Sequence, residues 1–98
     1  MPVAEGLAPI SYVWLGKQGL RSSQGLEVQY TGRFTMEVRW GNRRKSLEVE
    51  GLARPDDFAP SNFEHWDNSA VASDLVEQKR VLAAFQAALA ILNEGPPR

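Results

Sequence analysis

The sequence predicts an α+β fold: an antiparallel meander of four to five strands, followed by one long C-terminal helix packed on the sheet. Three observations carry this. Residues 26–30 (LEVQY) and 34–40 (FTMEVRW) alternate apolar and polar side chains, the period of a half-buried strand. The pair Gly41-Asn42 then offers a two-residue hairpin turn into a further alternating stretch. Near the C-terminus, Leu75, Leu82, Phe85, Leu89 and Leu92 recur at helical spacing, with Val81, Ala88 and Ile91 beside them.

Residues 1–9 hold two prolines and little pattern, and read as a loose lead-in. ISYVWL, 10–15, is β-branched and aromatic between Pro9 and Gly16, and is the first expected strand. Its apolar side chains fall on both faces, so either both faces are covered or the strand sits centrally or at a dimer edge. GKQGLRSSQG, 16–25, has three glycines and two serines and reads as a turn or loop. In the next strand Leu26, Val28 and Tyr30 point inward. A three-residue turn, Thr31-Gly32-Arg33, puts Phe34 on the same face as Tyr30, with Met36, Val38 and Trp40 following. A type II′ turn at Gly41-Asn42 pairs Trp40 with Arg43, Val38 with Lys45, Met36 with Leu47 and Phe34 with Val49. Glu48 and Glu50 then face solvent, and Gly51 ends the strand.

Residues 54–62 (RPDDFAPSN) carry turn chemistry throughout, with a short fifth strand expected near 58–66. The helix is bounded by Asp74 as N-cap, with Glu77 three residues on and Ser73 as the alternative cap. Asn93 or Gly95 closes it, and Pro96-Pro97 forbid continuation. Ala83, Ala84, Ala87 and Ala90 favour the helix and allow close approach. The whole chain, 1–98, reads as one domain, with the sheet over 10–67 and the helix over 73–93.

Composition excludes several chemistries. There is no cysteine, hence no disulfide and no thiolate nucleophile or metal ligand. The single histidine, His65, leaves one candidate base for nucleophilic catalysis and no His pair for a metal. No glycine pattern fits a phosphate cradle. The expectation is a protein that is not an enzyme and takes no metal or cofactor. No apolar run approaches the roughly 18–20 residues that span a bilayer. MPVAEGLAPI lacks the basic start and long apolar stretch of a secretory leader, so a cytoplasmic location is expected.

Charge is unevenly spread. Residues 1–47 carry seven basic and three acidic side chains, residues 48–98 four basic and nine acidic, so the halves are +4 and −5. Two surfaces stand out. The hairpin tip RWGNRRK, with Arg39, Trp40, Arg43, Arg44 and Lys45, combines cations with an aromatic ring. That combination suits a protein interface, or phosphates and bases in a nucleic-acid-binding module, the alternative function. It equally fits a solvated turn whose Trp40 closes one end of the core. The second surface is the acidic corner Asp56, Asp57, Glu64, His65 and Asp67. Within NFEHWDN, 62–68, Phe63 and Trp66 are expected to tuck under the sheet with His65 half exposed. The two-sided strand 10–15 and the helical alanines also allow self-association, so monomer and homodimer both stay open.

From residue 34 onward the order of features is the basic hairpin stretch VRWGNRRKSLEVEG, a Pro/Asp loop, the aromatic–acidic FEHWDN, a polar linker, and a helix LVEQKRVLAAFQAALAIL. This order resembles small single-domain immunity proteins of bacterial polymorphic-toxin systems. The matching positions are Arg43, Arg44, Leu47, Glu50, Trp66, Asp67, Lys79, Leu82 and Leu89. The family pattern tends to place proline directly after its Trp-acid element, where this chain has Asn68-Ser69. The resemblance implies a small non-enzymatic bacterial protein that acts by protein–protein contact, as a binder of a toxin.

Overall fold

The computed structural model describes residues 10–50 and 52–96. It shows a five-stranded antiparallel meander in strict chain order: β1 (Tyr12–Trp14), β2 (Gly19–Ser22), β3 (Leu26–Gly32), β4 (Thr35–Trp40) and β5 (Arg43–Glu48). One long helix, α1 (Leu75–Glu94), follows and lies on one face of the sheet. The fold is α+β as the sequence predicts. The lead-in over 1–9, Gly51 as strand terminator and Pro97 as helix breaker lie outside the described residues.

The inner face of the sheet is built by alternation. Leu20, Val28 and Val38 stand in one cross-strand row, and Tyr30, Met36 and Leu47 in the next. All but Tyr30 are buried, and Leu26 and Val49 complete the sheet's share of the core. From the helix come Val81, Ala84, Phe85, Ala88, Leu89 and Leu92; from the connector, Ala53, Phe63 and Trp66. Phe85 is central. Its ring meets Phe58 edge-on at 4.8 Å and Phe63 at 5.2 Å, the tilted geometries aromatic quadrupoles favour.

The β4–β5 register is the expected one, with Trp40 opposite Arg43, Val38 opposite Lys45 and Met36 opposite Leu47. Gly41 has φ 63°, and no non-glycine residue described has positive φ, so Asn42 does not. Positive φ at the first turn residue alone is the II′ pattern. Four other expectations are corrected.

First, β2 lies inside the stretch read as a loop, 16–25. Only one large apolar residue, Leu20, marks it. That residue is fully buried between Trp14 and Val28, while Arg21 faces out and pairs with Glu27 at 3.1 Å. Gly19 is there for close approach: a Cβ would stand 2.9 Å from the Gln29 Cβ across the strand. The fifth strand is therefore this one. Residues 55–57 and 60–63 instead form two short 3-10 turns, each opened by proline. Asp57 accepts the Arg54 N–H at 3.1 Å and Asn62 accepts the Ala59 N–H at 2.7 Å, which holds those turns out of a ladder.

Second, the β3–β4 turn is the two residues Arg33-Phe34, not Thr31-Gly32-Arg33. Gly32 faces Thr35, and a bulge between Tyr30 and Gly32 absorbs the extra residue. The parity that placed Tyr30 and Met36 on one face survives. Phe34 does not join them. It sits in the turn, 58% exposed, although its carbonyl still accepts the Val49 N–H at 2.9 Å.

Third, the first strand is three residues rather than six, with Tyr12 and Trp14 packed against the core and Val13 outward.

Fourth, Leu75 is 56% exposed instead of buried. At about 100° per residue it lies about 80° from Phe85, off the seam that runs through Gln78, Val81, Phe85 and Leu92. Gln78 takes the inward place in the first turns, its side-chain amide donating to the Ser73 carbonyl at 2.8 Å. The caps are as expected: the Asp74 carboxylate accepts the Glu77 N–H at 2.8 Å, and Gly95 has φ 90° beyond the last turn.

The helix C-terminus is tied to the sheet by Tyr30. Its hydroxyl donates to Asn93 Oδ1 at 2.8 Å and accepts the Ala53 N–H at 3.1 Å. Burial pushes this phenol above its ordinary pKa of 10.0, against the pull of those two bonds.

Candidate functional site

The two surfaces singled out in the sequence meet at the outer edge of β5, where they form one joint. Asp67 and Asn68 lie along that edge and pair with its backbone. Asn68 Oδ1 accepts the Arg44 N–H at 2.8 Å, Asp67 Oδ2 accepts the Ser46 N–H at 2.8 Å, and the Asp67 N–H donates to the Arg44 carbonyl at 2.8 Å. Asn68 Nδ2 also donates to the Asn42 carbonyl at 2.9 Å. Side chains thus substitute for a sixth strand. Lys45 closes the arrangement by donating to the His65 carbonyl at 2.9 Å.

Beneath this edge lies Ser73, itself buried. Its hydroxyl oxygen accepts from the Trp66 indole N–H at 2.9 Å and from Arg43 Nη1 at 2.8 Å. Arg43 also forms an ion pair with Glu77. A hydroxyl has two lone pairs to offer, and here both receive a donor. The Ser73 N–H donates to the Glu64 carbonyl at 2.8 Å. Sheet edge, connector and helix N-terminus are therefore held by one residue.

The hydrogen bond from Ser73 is the main cause that holds the Glu77 carboxyl below its ordinary value of 4.5. Arg43 adds to it, while partial burial and the nearby Asp74 oppose it. A carboxylate with a lowered folded-state pKa stabilises the fold fully above its unfolded pKa, and that contribution is lost as pH falls through the folded value. The urea midpoint is accordingly expected to drop as pH is lowered from 4.5. In Glu77→Gln this component should vanish, so the midpoint difference between neutral and acid pH shrinks. An unchanged difference would show the carboxylate is not coupled to folding.

The hairpin set is split between faces. Trp40 is half-buried against the core, and Arg43 and Lys45 share its face and are engaged as described. Arg39 and Arg44 point to the other side. Arg39 pairs with Glu37 at 3.0 Å, while the Arg44 guanidinium has no hydrogen bond or ion pair among the described residues. The acidic set is also split. Asp67 is an edge cap. The His65 side chain is 76% exposed, more than the half expected, with Nε2 3.9 Å from a Glu64 carboxylate oxygen. Asp56 and Asp57 lie apart from them, in the 3-10 turn at 55–57.

Among the described residues, no helix packs on the outer face of the sheet. One cross-strand row runs Val13, Arg21, Glu27, Arg39, Arg44, and Gln29, Glu37 and Ser46 stand in the next. Cations and carboxylates are interspersed across it, with Arg39 and Arg44 directly opposite each other, and two of the three arginines are paired. No group of three or more acidic or histidine side chains among the described residues could hold a metal ion. No helix among them is long and apolar enough to cross a membrane.

Residues that the sequence did not single out include Ser73, Glu77 and the exposed apolar pair Phe34 and Leu52. Ser73 enters the sequence reading only as an alternative cap, and the donors that converge on it come from positions 43 and 66. No spacing rule links these. No family model matches the chain, and neither the curated proteins nor the solved structures contain a match.

Proposed function

We propose that this chain is a non-enzymatic protein-binding module, and that its partner docks on the open outer face of the sheet at the hairpin end, around Arg39 and Arg44. The observation that carries this reading is the one-sided cover: among the described residues α1 packs on the inner face, and no element packs on the outer face. The edge joint and the Arg43–Glu77 pair fix the hairpin, so little order remains to be gained on binding. Arg44 presents an uncommitted guanidinium there, a side chain enriched at interface hot spots.

Mixed charge favours a protein over a nucleic acid. Neutralising successive phosphates needs a continuous positive track, whereas here Glu27 and Glu37 interrupt the arginines and pair with two of them. The likeness to immunity proteins of polymorphic-toxin systems supplies the sharper version: a cytoplasmic bacterial protein that binds a toxin domain. No cofactor enters this reading.

Affinity capture from lysate of the source organism tests it, with wild-type protein and Arg39→Glu/Arg44→Glu, with and without nuclease, at low and high salt. One stoichiometric protein that survives nuclease and salt, and falls about tenfold or more with the variant, is the expected result. A nuclease-sensitive haul that washes off with salt would overturn it in favour of nucleic acid. Arg43 is left intact because its loss would disturb the Ser73 joint.

A further inference from the structure

At the end of the sheet remote from the Gly41-Asn42 turn, the segment following β5 returns past β4 and leaves an open groove of about 1190 Å³. Two large apolar side chains stand exposed in it, Phe34 at 58% and Leu52 at 67%. Val49, Ala53 and Phe58 bring core surface to the same groove. Exposed aromatic and aliphatic surface gathered around a concavity marks a binding site more often than scattered surface residues do.

Charge selects the occupant. Glu48, Glu50 and Asp57 line the groove against one cation, Arg54. None of the three carboxylates is in an ion pair among the described residues. The Asp57 carboxylate also accepts the Arg54 N–H, which fixes its position. The β5 edge adds a further element. Asp67 and Asn68 cover it only as far as Ser46, and by strand alternation the Glu48 backbone groups point the same way, beyond that cover.

We propose that this groove binds an extended peptide segment of a partner protein, one that carries arginine or lysine beside an aromatic or large aliphatic side chain. The apolar side chain is received by Phe34 and Leu52, and the cation by the Glu48, Glu50 and Asp57 carboxylates. The peptide main chain runs along the free end of β5, where strand addition gives affinity without sequence and the groove supplies selectivity. This surface lies at the opposite end of β4 and β5 from Arg39 and Arg44, and it does not depend on the outer-face reading.

The test is titration of the ¹⁵N-labelled protein with two capped peptides, Ac-Gly-Arg-Phe-Lys-Gly-NH2 and Ac-Gly-Glu-Phe-Glu-Gly-NH2. The cationic peptide is expected to give saturable amide shifts at Thr35, Val49, Leu52 and Ala53. The acidic one should bind at least about tenfold more weakly. Glu48→Lys/Glu50→Lys should lose about tenfold or more for the cationic peptide while its amide spectrum stays dispersed, since both side chains are exposed. Arg39→Glu/Arg44→Glu should bind it as wild type does. Absence of saturation at millimolar peptide, equal response to both peptides, shifts mapping away from the groove, or an unaffected charge-reversed variant would each overturn the proposal.

Discussion

Phe85→Ala is expected to lower folding stability by about 3–5 kcal/mol. The ring is fully buried, at the point where the helix, the 3-10 turn at 60–63 and Phe58 meet. Truncation loses the transfer free energy of the ring and leaves a void that Phe58 and Phe63 cannot close without giving up their own packing. Domains of this size hold roughly 5–15 kcal/mol in all, and a change of this kind shifts the melting temperature by about 4–8 °C per kcal/mol. A fall of about 12 °C or more is therefore expected, read by thermal and urea unfolding. Leu75→Ala is the internal comparison: the same helix, a large side chain, but exposed, and expected to change stability by less than about 1 kcal/mol. If the two variants were equally costly, the packing described for α1 would be wrong.

Ser73→Ala is expected to cost about 1–3 kcal/mol, far more than the loss of one small hydroxyl suggests. The oxygen removed is the acceptor for two donors, and one of them, the Trp66 indole N–H, belongs to a buried side chain. An orphaned buried donor forfeits its hydration with nothing in return. The decisive measurement is a double-mutant cycle with Trp66→Phe, read by urea unfolding. In the Trp66→Phe background the Ser73→Ala cost should shrink, because the indole donor is gone, with a coupling of about 0.5–3 kcal/mol. Additive effects would show that the two side chains do not depend on each other. The Ser73→Ala substitution should also release Glu77 toward its ordinary pKa, since the Ser73 hydrogen bond is the largest influence on it.

What can be read from the sequence follows from where the physics is local. The β4–β5 hairpin is legible because a two-residue turn and strict alternation leave one register that buries Met36, Val38 and Leu47. The helix and both its caps are legible for the same reason: Asp74 acts within three residues, and Gly95 at the adjoining position. β2 is not, because one buried leucine among glycine and serine makes no period. Its strand character comes from β1 and β3 on either side. Phe34 departs from expectation through turn chemistry, since a bulge preserves the parity while moving the turn.

The candidate surfaces show the same division. Composition draws the eye to 39–45 and 62–68, but it does not say that they touch. That fact rests on hydrogen bonds spanning about twenty to thirty residues of sequence, from Arg44 to Asn68 and from Arg43 to Ser73. Once made, these bonds consume Arg43, Lys45 and Asp67, and within the hairpin tip they leave the Arg44 guanidinium without a partner among the described residues. The exposed groove at Phe34 and Leu52 has no sequence signature, because an apolar residue in an alternating strand is expected to point inward.

The joint at β5 also sets a limit on growth. A meander has two edges, and stacking of sheets end to end into a fibril requires both to accept a neighbour. Here Asp67 and Asn68 occupy the backbone groups of residues 44–46, so through most of its length that edge terminates any ladder that reaches it. Two side chains in a turn thus act as the terminator of any ladder that reaches residues 44–46.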